Sequence, residues 1–445
     1  MQVLTSLALV GVLAAGALFA PSVSSPLLPS SPRALTQGKI WIGDGQISTG
    51  TYADDSHEPF DDAVNGGDLD SGGQIEVLPG TYTFTQTVTV PHGGIRIYGT
   101  KSAVLKLGEG FPGPLFEVTG AEFVLEGVTL VADEPAAAQL VHVEAPGAAV
   151  LDCRISLASV GEDGFALDFE YPGGEEPKAV LVQGNSFEFA TDASQWGGLR
   201  IREHRATRVI ANRFSAADEV QQASVLTAIY VEAGEWTTLE GNSFVRLSAP
   251  FEELGADGEA LVNCYRDPVL GGEGGHLVFN ANSFRDVAGH SILRVESLGF
   301  TGIEGNAFGR LASPGGAVRL LDGTSDIVHA NQFVEEPEAT GSNPAVVIRG
   351  GRGTVVSGCV FRECTDTQIV CEPFPGPTNH ARATFSGNWF EAASGAVGPV
   401  PAIELGAATP VAATGNSARG AGLWSMVFHS NNPPPLVIQL GNYVF

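Results

Sequence analysis

Basic side chains are scarce in this chain of 445 residues: 23 Lys and Arg stand against 50 Asp and Glu, a formal charge of −27. That balance argues against a nucleic-acid partner, because phosphate backbones are held chiefly by clustered Lys and Arg. It also sets the protein against anionic membrane surfaces, and favours solubility, cations or a salty medium. Only four lysines occur, Lys39, Lys101, Lys106 and Lys178. Cysteine is sparse and odd in number, at five, which implies no complete disulfide framework. Cys359, Cys364 and Cys371 cluster, and Cys364–Cys371 would close a small loop under oxidising conditions. With no CxxC pair and no His beside them, structural thiols are the stronger reading over a three-Cys metal site. Helical periodicity is nearly absent apart from one turn over Pro59 to Asn65. After residue 20 no stretch approaches the roughly 18 apolar residues of a membrane span.

The first thirty residues carry no charged side chain, and Leu7 to Ala20 is an apolar run of 14. That length suits the core of a signal peptide and is short for a span, with small residues from Ala20 to Ser25 for cleavage. The start MQVLTS departs from the usual pattern by offering only the α-amino charge. Residues 1–25 are read as a targeting segment, which places the protein outside the cell or on its surface, without membrane contact after processing. An uncleaved hydrophobic arm packed on a partner is the rival.

What the chain has in quantity is glycine, at 57 residues, and a repeated phrase: Gly or Ala, then Asn, any residue, then Phe. It stands at Gly184-Asn185-Ser186-Phe187, Ala211-Asn212-Arg213-Phe214, Gly241-Asn242-Ser243-Phe244, Ala281-Asn282-Ser283-Phe284, Gly305-Asn306-Ala307-Phe308, Ala330-Asn331-Gln332-Phe333 and Gly387-Asn388-Trp389-Phe390. Weaker copies occur at Gly358-Cys359-Val360-Phe361, Gly415-Asn416 and Gly441-Asn442, while Gly99, Gly127 and Cys153 hold equivalent places. Successive copies lie 24 to 40 residues apart, mostly in the high twenties. Short alternating runs such as Leu199-Arg200-Ile201 and Ile229-Tyr230-Val231 fill each period and read as short strands. Such a period fits one coil of a parallel β-solenoid; the frame of leucine-rich repeats is missing. Asn suits the corner because it tolerates left-handed backbone and because stacked Asn side chains bond from coil to coil. The Phe two residues on is expected to point inward and stack. Cys153 and Cys359, at Asn positions, are expected to be buried.

The stretch Ile75-Glu76-Val77-Leu78-Pro79-Gly80-Thr81-Tyr82, with Ile95-Arg96-Ile97-Tyr98-Gly99, resembles the opening coils of right-handed parallel β-helix proteins of the pectin-lyase-like superfamily. In that group a short helix commonly caps the first coil, and Phe60-Asp61-Asp62-Ala63-Val64 resembles it. The resemblance covers about Thr51 to Phe445. It implies an all-β fold, a single right-handed parallel β-helix (β-solenoid) with a short N-terminal capping helix. It does not choose a function, since the superfamily holds lyases, glycoside hydrolases, epimerases, tailspikes and silent adhesins. The chain then divides into a targeting segment (1–25), a linker or N-terminal arm (26–50) and a β-helix domain (51–445) of roughly thirteen coils, a rod on the order of 60 Å at about 4.8 Å per coil. Pro250 to Gly275 and Glu372 to Arg382 are read as loops rising from it. The final Asn442-Tyr443-Val444-Phe445 carries no cap, so the last coil is expected to meet another subunit or be covered by the arm.

Aligning coils on the Asn brings outward residues into register. One column reads Arg200, Tyr230, Arg294, Arg319, Val347 and Glu404; a second reads Arg202, Glu232, Glu296, Leu321, Arg349 and Gly406. His142 and Asp168 precede the first column, Glu144 and Glu170 the second, and His204 lies just beyond the strand. The candidate catalytic set is Asp168, Arg200 and Glu232, with Arg202, Tyr230, His204, Glu170, Arg294 and Arg319 as substrate contacts. Arg grips a uronate carboxylate through two hydrogen bonds. Carboxylates two coils apart, about 9.6 Å, border the range of inverting hydrolysis, whereas a lyase needs a base near the α-proton and neutralisation by Arg or Ca²⁺. The same residues also read as cross-strand pairs that pin the coils. No Lys stands near them, and neither the paired-Asp and Gly-His-Gly segments of polygalacturonase-like enzymes nor pectate-lyase-like calcium aspartates have a match.

The acidic stretch Asp54, Asp55, Asp61, Asp62, Asp68 and Asp70 lacks the ligand spacing of a Ca²⁺ loop, so Ca²⁺ is left open as a cofactor without a site. Gly271 to Gly275 lacks the setting of a phosphate loop. His276, His290 and His329 read as surface or core residues. Trp196 and Trp236 either stack on sugars or belong to the core. The leading function is an exported polysaccharide-binding protein, with lyase or hydrolase action on acidic glycans; the competing class is a non-catalytic adhesin, receptor-binding fibre or structural rod.

Overall fold

The computed structural model describes residues 39–43, 57–66, 69–132, 139–157, 164–170, 179–190, 196–232, 235–249, 260–266, 275–335, 344–372, 382–393, 400–405, 411–419, 423–429 and 437–444. The apolar run with its cleavage site, Asp54, Asp55 and Asp68 lie outside them. Within a coil, three short strands follow one another, and each pairs in parallel with its equivalents in the coils before and after. The result is three sheets: sheet I of 15 strands, sheet II of 16 and sheet III of 13. The fold is thus all-β, a right-handed parallel β-helix, the hand that parallel crossovers adopt.

One coil shows why the sequence folds this way. Gly197–Arg202 lies in sheet III, Ala206–Ile210 in sheet I and Arg213–Ala216 in sheet II. Leu199 and Ile201, Thr207 and Val209, and Phe214 are buried between the sheets, as the two-residue period of a strand requires. The corner between sheets I and II belongs to the repeated phrase, but its division of labour differs from expectation. The left-handed backbone falls on the Gly or Ala ahead of the Asn: φ is 71° at Gly184, 55° at Ala211, 65° at Gly241 and 53° at Ala281. The Asn is retained for its side chain. Asn212 donates from Nδ2 to Val182 O at 2.9 Å and to Asn242 Oδ1 at 3.1 Å, and the Asn212 N–H reaches the same Asn242 oxygen at 3.0 Å. The pattern repeats from Asn242 to Asn282 to Asn306, and again from Asn388 through Asn416 to Asn442. A corner buried away from water must satisfy its polar groups internally, and an amide does so with two donors and one shared acceptor.

The inward Phe forms the expected ladder. Rings from Phe187 to Phe214 stack with centroids 4.4 Å apart and planes 11° apart, and the series continues through Phe244, Phe284, Phe308, Phe333 and Phe361 to Phe390. Cys153 and Cys359 take Asn places with their N–H groups bonded to Asn185 Oδ1 at 2.8 Å and Asn388 Oδ1 at 3.0 Å. Burial pushes their thiols up to about 12 and about 11, so both are inert structural residues. Cys371 is a free buried thiol; the Cys364–Cys371 loop is therefore not closed.

Helix α1 (Glu58–Asn65) covers the first coil, burying Phe60, Ala63 and Val64. Phe60 packs 5.1 Å from Phe84 and 5.9 Å from Phe116. Lys39–Ile42, inside the stretch read as an arm, is already an edge strand of sheet I paired with Gln74 to Val77. Within the 250–275 stretch read as a loop, Ala260–Tyr265 is a strand of sheet III; the flanking 250–259 and 267–274, and 373–381 of the second loop, lie outside the described residues.

Candidate functional site

The outer face of sheet III carries the predicted column. Successive coils place His142, Asp168, Arg200 and Tyr230 side by side, followed by Asn263, Arg294, Arg319, Val347, Val370 and Glu404. Asn263 and Val370 had no place in the alignment on Asn. They belong to coils whose connections differ in length, so counting back a constant number of residues skipped them. Tyr230 and Arg294 are therefore two coils apart. The second column pairs Glu170 with Arg202, and farther along runs Glu232, Tyr265, Glu296, Leu321, Arg349 and Glu372, with Tyr265 and Glu372 in the same two skipped coils and Gly406 outside the described residues.

Asp168 is the centre of this face and is wholly buried. Arg200 donates to it twice, Nε to Oδ1 and Nη2 to Oδ2, each at 2.8 Å, and Gln139 Nε2 donates to Oδ2 at 2.8 Å. His142 Nδ1 stands 3.3 Å from Oδ2 and Arg202 Nη2 3.7 Å from it. Burial by itself would raise the Asp168 carboxyl, but Arg200, then His142 and Arg202, hold it far below the usual carboxylate range. It stays ionised and cannot serve as a general acid near neutrality. His142 is raised by Asp168, against a lowering from burial, with Glu144 adding to the rise at 3.0 Å from Nε2. The Arg200 guanidinium also lies over the Phe165 ring, 4.8 Å from its centroid, a cation–π contact that adds to its hold.

The remaining predicted residues distribute unevenly. Arg202 pairs with Glu170. Arg294 Nη2 is 2.6 Å from Glu296 Oε2 within its own strand. Arg319 is nearly buried and its Nη1 lies 3.0 Å from His290 Nε2. Tyr230 is also buried at 7% exposure, its ring 6.4 Å from Phe165, while Glu232 keeps partial exposure. His204 does not reach the face: a positive φ of 61° at Glu203 turns the chain, and His204 is fully buried. Trp196 is core, whereas Trp236 is 39% exposed on sheet I and stacks on His276 at 4.2 Å. The two tryptophans lie on different sides of the coil. Gln139 was missed because it sits three residues before His142, where neither column pointed.

Elsewhere, Asp326 points inward from sheet I with 2% exposure. Thr354 Oγ1 donates to its Oδ2 at 3.4 Å, and Oδ1 has no hydrogen-bond partner among the described residues. Burial pushes this carboxyl up to about 6, with Thr301 and Thr354 offsetting part of the rise. Among the described residues no group of three or more His, Cys, Asp or Glu is arranged to hold a metal ion, and no helix is long and apolar enough to cross a membrane. A hollow of about 460 Å³ lies on a different face, the outside of sheet II around Ser283 and Ala307.

These features define a class: a capped parallel β-helix with an aperiodic charged strip on one sheet. No protein-family model matches the sequence, and no curated protein matches it. Solved structures do. The chain is similar to the catalytic unit of a thermostable α-1,3-glucanase from Streptomyces thermodiastaticus, at 14% identity and a TM-score of 0.52 over 91% of this chain and 68% of that one. It is similar to tailspike protein 3 of Bacteriophage CBA120, at 11% identity and a TM-score of 0.52 over 91% and 61%. The alginate lyase AlyF-OU02 matches at 10% identity and a TM-score of 0.50, over 88% of each chain. At these identities the likeness establishes the fold alone, a parallel β-helix.

Proposed function

We propose that the protein binds an acidic, uronate-type polysaccharide across the outer face of sheet III, and that Glu232 supplies the acid or base of a cleavage step there. The observation that carries this reading is the burial of Asp168 among two arginines, a histidine and a glutamine. Ordinary cross-strand pairs stay exposed and contribute little, whereas buried, strongly perturbed ionisable groups concentrate at functional sites. In this reading Asp168 is a positioning residue that fixes the Arg200 fork, and Arg200 with Arg202 neutralises the sugar carboxylate. Glu170 and Arg294 extend the surface, while the more deeply buried Tyr230 and Arg319 line it and His204 supports it from within. Export from the cell fits such a substrate. The glucanase and the alginate lyase that share the fold act on polysaccharides by their names, which supports a carbohydrate ligand.

A second reading, a non-catalytic receptor-binding fibre, draws on two observations: the likeness to a tailspike, and the engagement of Arg200, Arg202 and Arg294 by carboxylates of the same face. One experiment separates them. The protein is incubated with a panel of uronate polysaccharides, with and without Ca²⁺, while ultraviolet absorbance of unsaturated ends and the release of reducing ends are followed. Unsaturated ends that disappear with Arg200→Ala establish a lyase at this site. Reducing ends without that absorbance, lost in Glu232→Gln, establish a hydrolase. Binding without either product establishes the fibre, and no binding to any uronate chain overturns the proposal.

A further inference from the structure

The outside of sheet II carries a different charge from the molecule as a whole. In each coil two outward positions flank the inward Phe. From the coil of Phe214 to that of Phe361 these positions hold Arg213, Arg285 and Arg362 and no carboxylate, in a chain where acids outnumber bases 50 to 23. Glu188 and Glu391 stand one coil beyond each end of this run. Glu188 is engaged by Arg154 at 2.8 Å, and Glu391 lies 4.0 Å from Arg362. The acids inside the run stand two residues past the inward Phe: Asp286, 3.7 Å from Arg285, and Glu363 are each displaced from the columns by a positive φ of 55°, and Glu335 is buried and accepts the Thr365 N–H at 2.9 Å. The Arg213 side chain makes no hydrogen bond or ion pair with the described residues.

The strip also has relief. Ser243, Ser283, Ala307 and Gly309 are small, while Arg213, Arg285 and Gln332 rise around them, and the difference in side-chain length leaves the hollow of about 460 Å³. Its floor is the outer surface of the Phe284 and Phe308 coils. Arg213 and Arg285 are two coils apart, about 9.6 Å along the axis, so a ligand touching both must be extended along the helix. The walls offer guanidinium donors for anions and serine hydroxyls and an amide for neutral hydroxyls.

We propose that this hollow is a binding site for an anionic polysaccharide strand laid along the axis, on a face separate from sheet III. The inference rests on charge complementarity and on the hollow, and stands whether or not sheet III binds a glycan. Arg213 and Arg285 hold the acidic groups; Ser243, Ser283 and Gln332 hold ring hydroxyls.

The test uses the full chain and a fluorescein-labelled alginate hexasaccharide, read by fluorescence anisotropy, with maltohexaose as the neutral competitor. The double substitution Arg213→Ala and Arg285→Ala is expected to weaken one binding phase about tenfold or more, the loss of at least one charged hydrogen bond, while leaving circular dichroism unchanged. Ala307→Trp, which fills the hollow and keeps both arginines, is expected to weaken the same phase. Arg200→Ala is expected to leave that phase intact, which separates failure here from failure at sheet III. An isotherm unchanged by the double substitution overturns the site, and equal competition by maltohexaose overturns the anionic ligand. Self-association in sedimentation velocity that the double substitution abolishes, with no glycan phase, would make the occupant a second copy of this chain and overturn the glycan.

Discussion

Two columns of side chains run through the same coils and obey opposite rules. At the corner between sheets I and II, Asn follows Asn from Asn185 to Asn331, and each amide is satisfied by the next. On the outer face of sheet III, His142, Asp168, Arg200, Tyr230 and Asn263 follow one another without repetition. The corner amides are buried, so a coil with the wrong side chain would strand donors and acceptors on both neighbours. The outer face is partly exposed at His142 and Arg200 and buried at Asp168, Tyr230 and Asn263, and a mismatch costs little only where it is exposed. Repetition marks where desolvation leaves no choice; variation marks where selection can act on a ligand. Asp168 is the carboxylate buried on the variable face, held there by Arg200, Gln139, His142 and Arg202, and for that reason it anchors the candidate site.

The sharpest way to break this contrast is Asn242→Ala. It removes the acceptor of the Asn212 N–H and the donor to Val209 O and Asn282 Oδ1, and several stranded buried groups should lower stability by about 3–5 kcal/mol, read from the denaturant midpoint. A loss below about 1 kcal/mol would mean that water enters the corner, and the contrast would fail. Next in size is Asp168→Ala against Glu170→Ala. The first leaves Arg200 without its buried partner and is expected to cost about 2–4 kcal/mol; the second removes a more exposed partner and should cost under about 1 kcal/mol. Because Asp168 is depressed in the folded protein, its contribution is present above the unfolded value of 3.8 and is lost as pH falls further toward the folded value. The gap between the two variants should therefore narrow in acid, and equal effects at neutral pH would reduce Asp168 to an ordinary ladder member.

The smallest expected effect concerns Asp326, a polar residue on the repetitive interior side. Its folded value is raised from 3.8 to about 6, so the folded state favours the protonated form. Stability is fully retained below 3.8, falls as pH rises between the two values, and stays lower above about 6. Asp326→Asn removes the ionisation and is expected to stabilise the protein at pH 8 by about 1–3 kcal/mol, with little gain at pH 4. Thermal unfolding at the two pH values measures it, and a gain independent of pH would assign the effect to packing.

Much of the fold could be read from the chain. The Asn-x-Phe phrase announced a parallel solenoid, the inward Phe and the buried Cys153 and Cys359, and Phe60 to Val64 announced the cap. The reason for the Asn was half right: the left-handed residue is its Gly or Ala neighbour, and a residue pattern does not tell which of two adjacent positions carries a φ of 55° at Ala211. The site was legible where coils keep a constant length, so His142, Asp168, Arg200 and Tyr230 fell into register. It was misread where they do not: Asn263 and Val370 were passed over, and His204 was given to a face from which Glu203 turns it away.

The sequence alone therefore determined the architecture, because burying a strand face and a corner at every coil forces the same side chains to recur at a period any alignment of the chain with itself reveals. Only the tertiary structure decided which charges are deep and which are exposed. That Asp168 is buried while Glu170 beside it is not, that Arg319 is nearly covered, and that an acid-rich chain carries a basic strip with a hollow outside sheet II all depend on what neighbouring coils place above each residue. Desolvation is a property of that surrounding, and no residue carries it in its own identity.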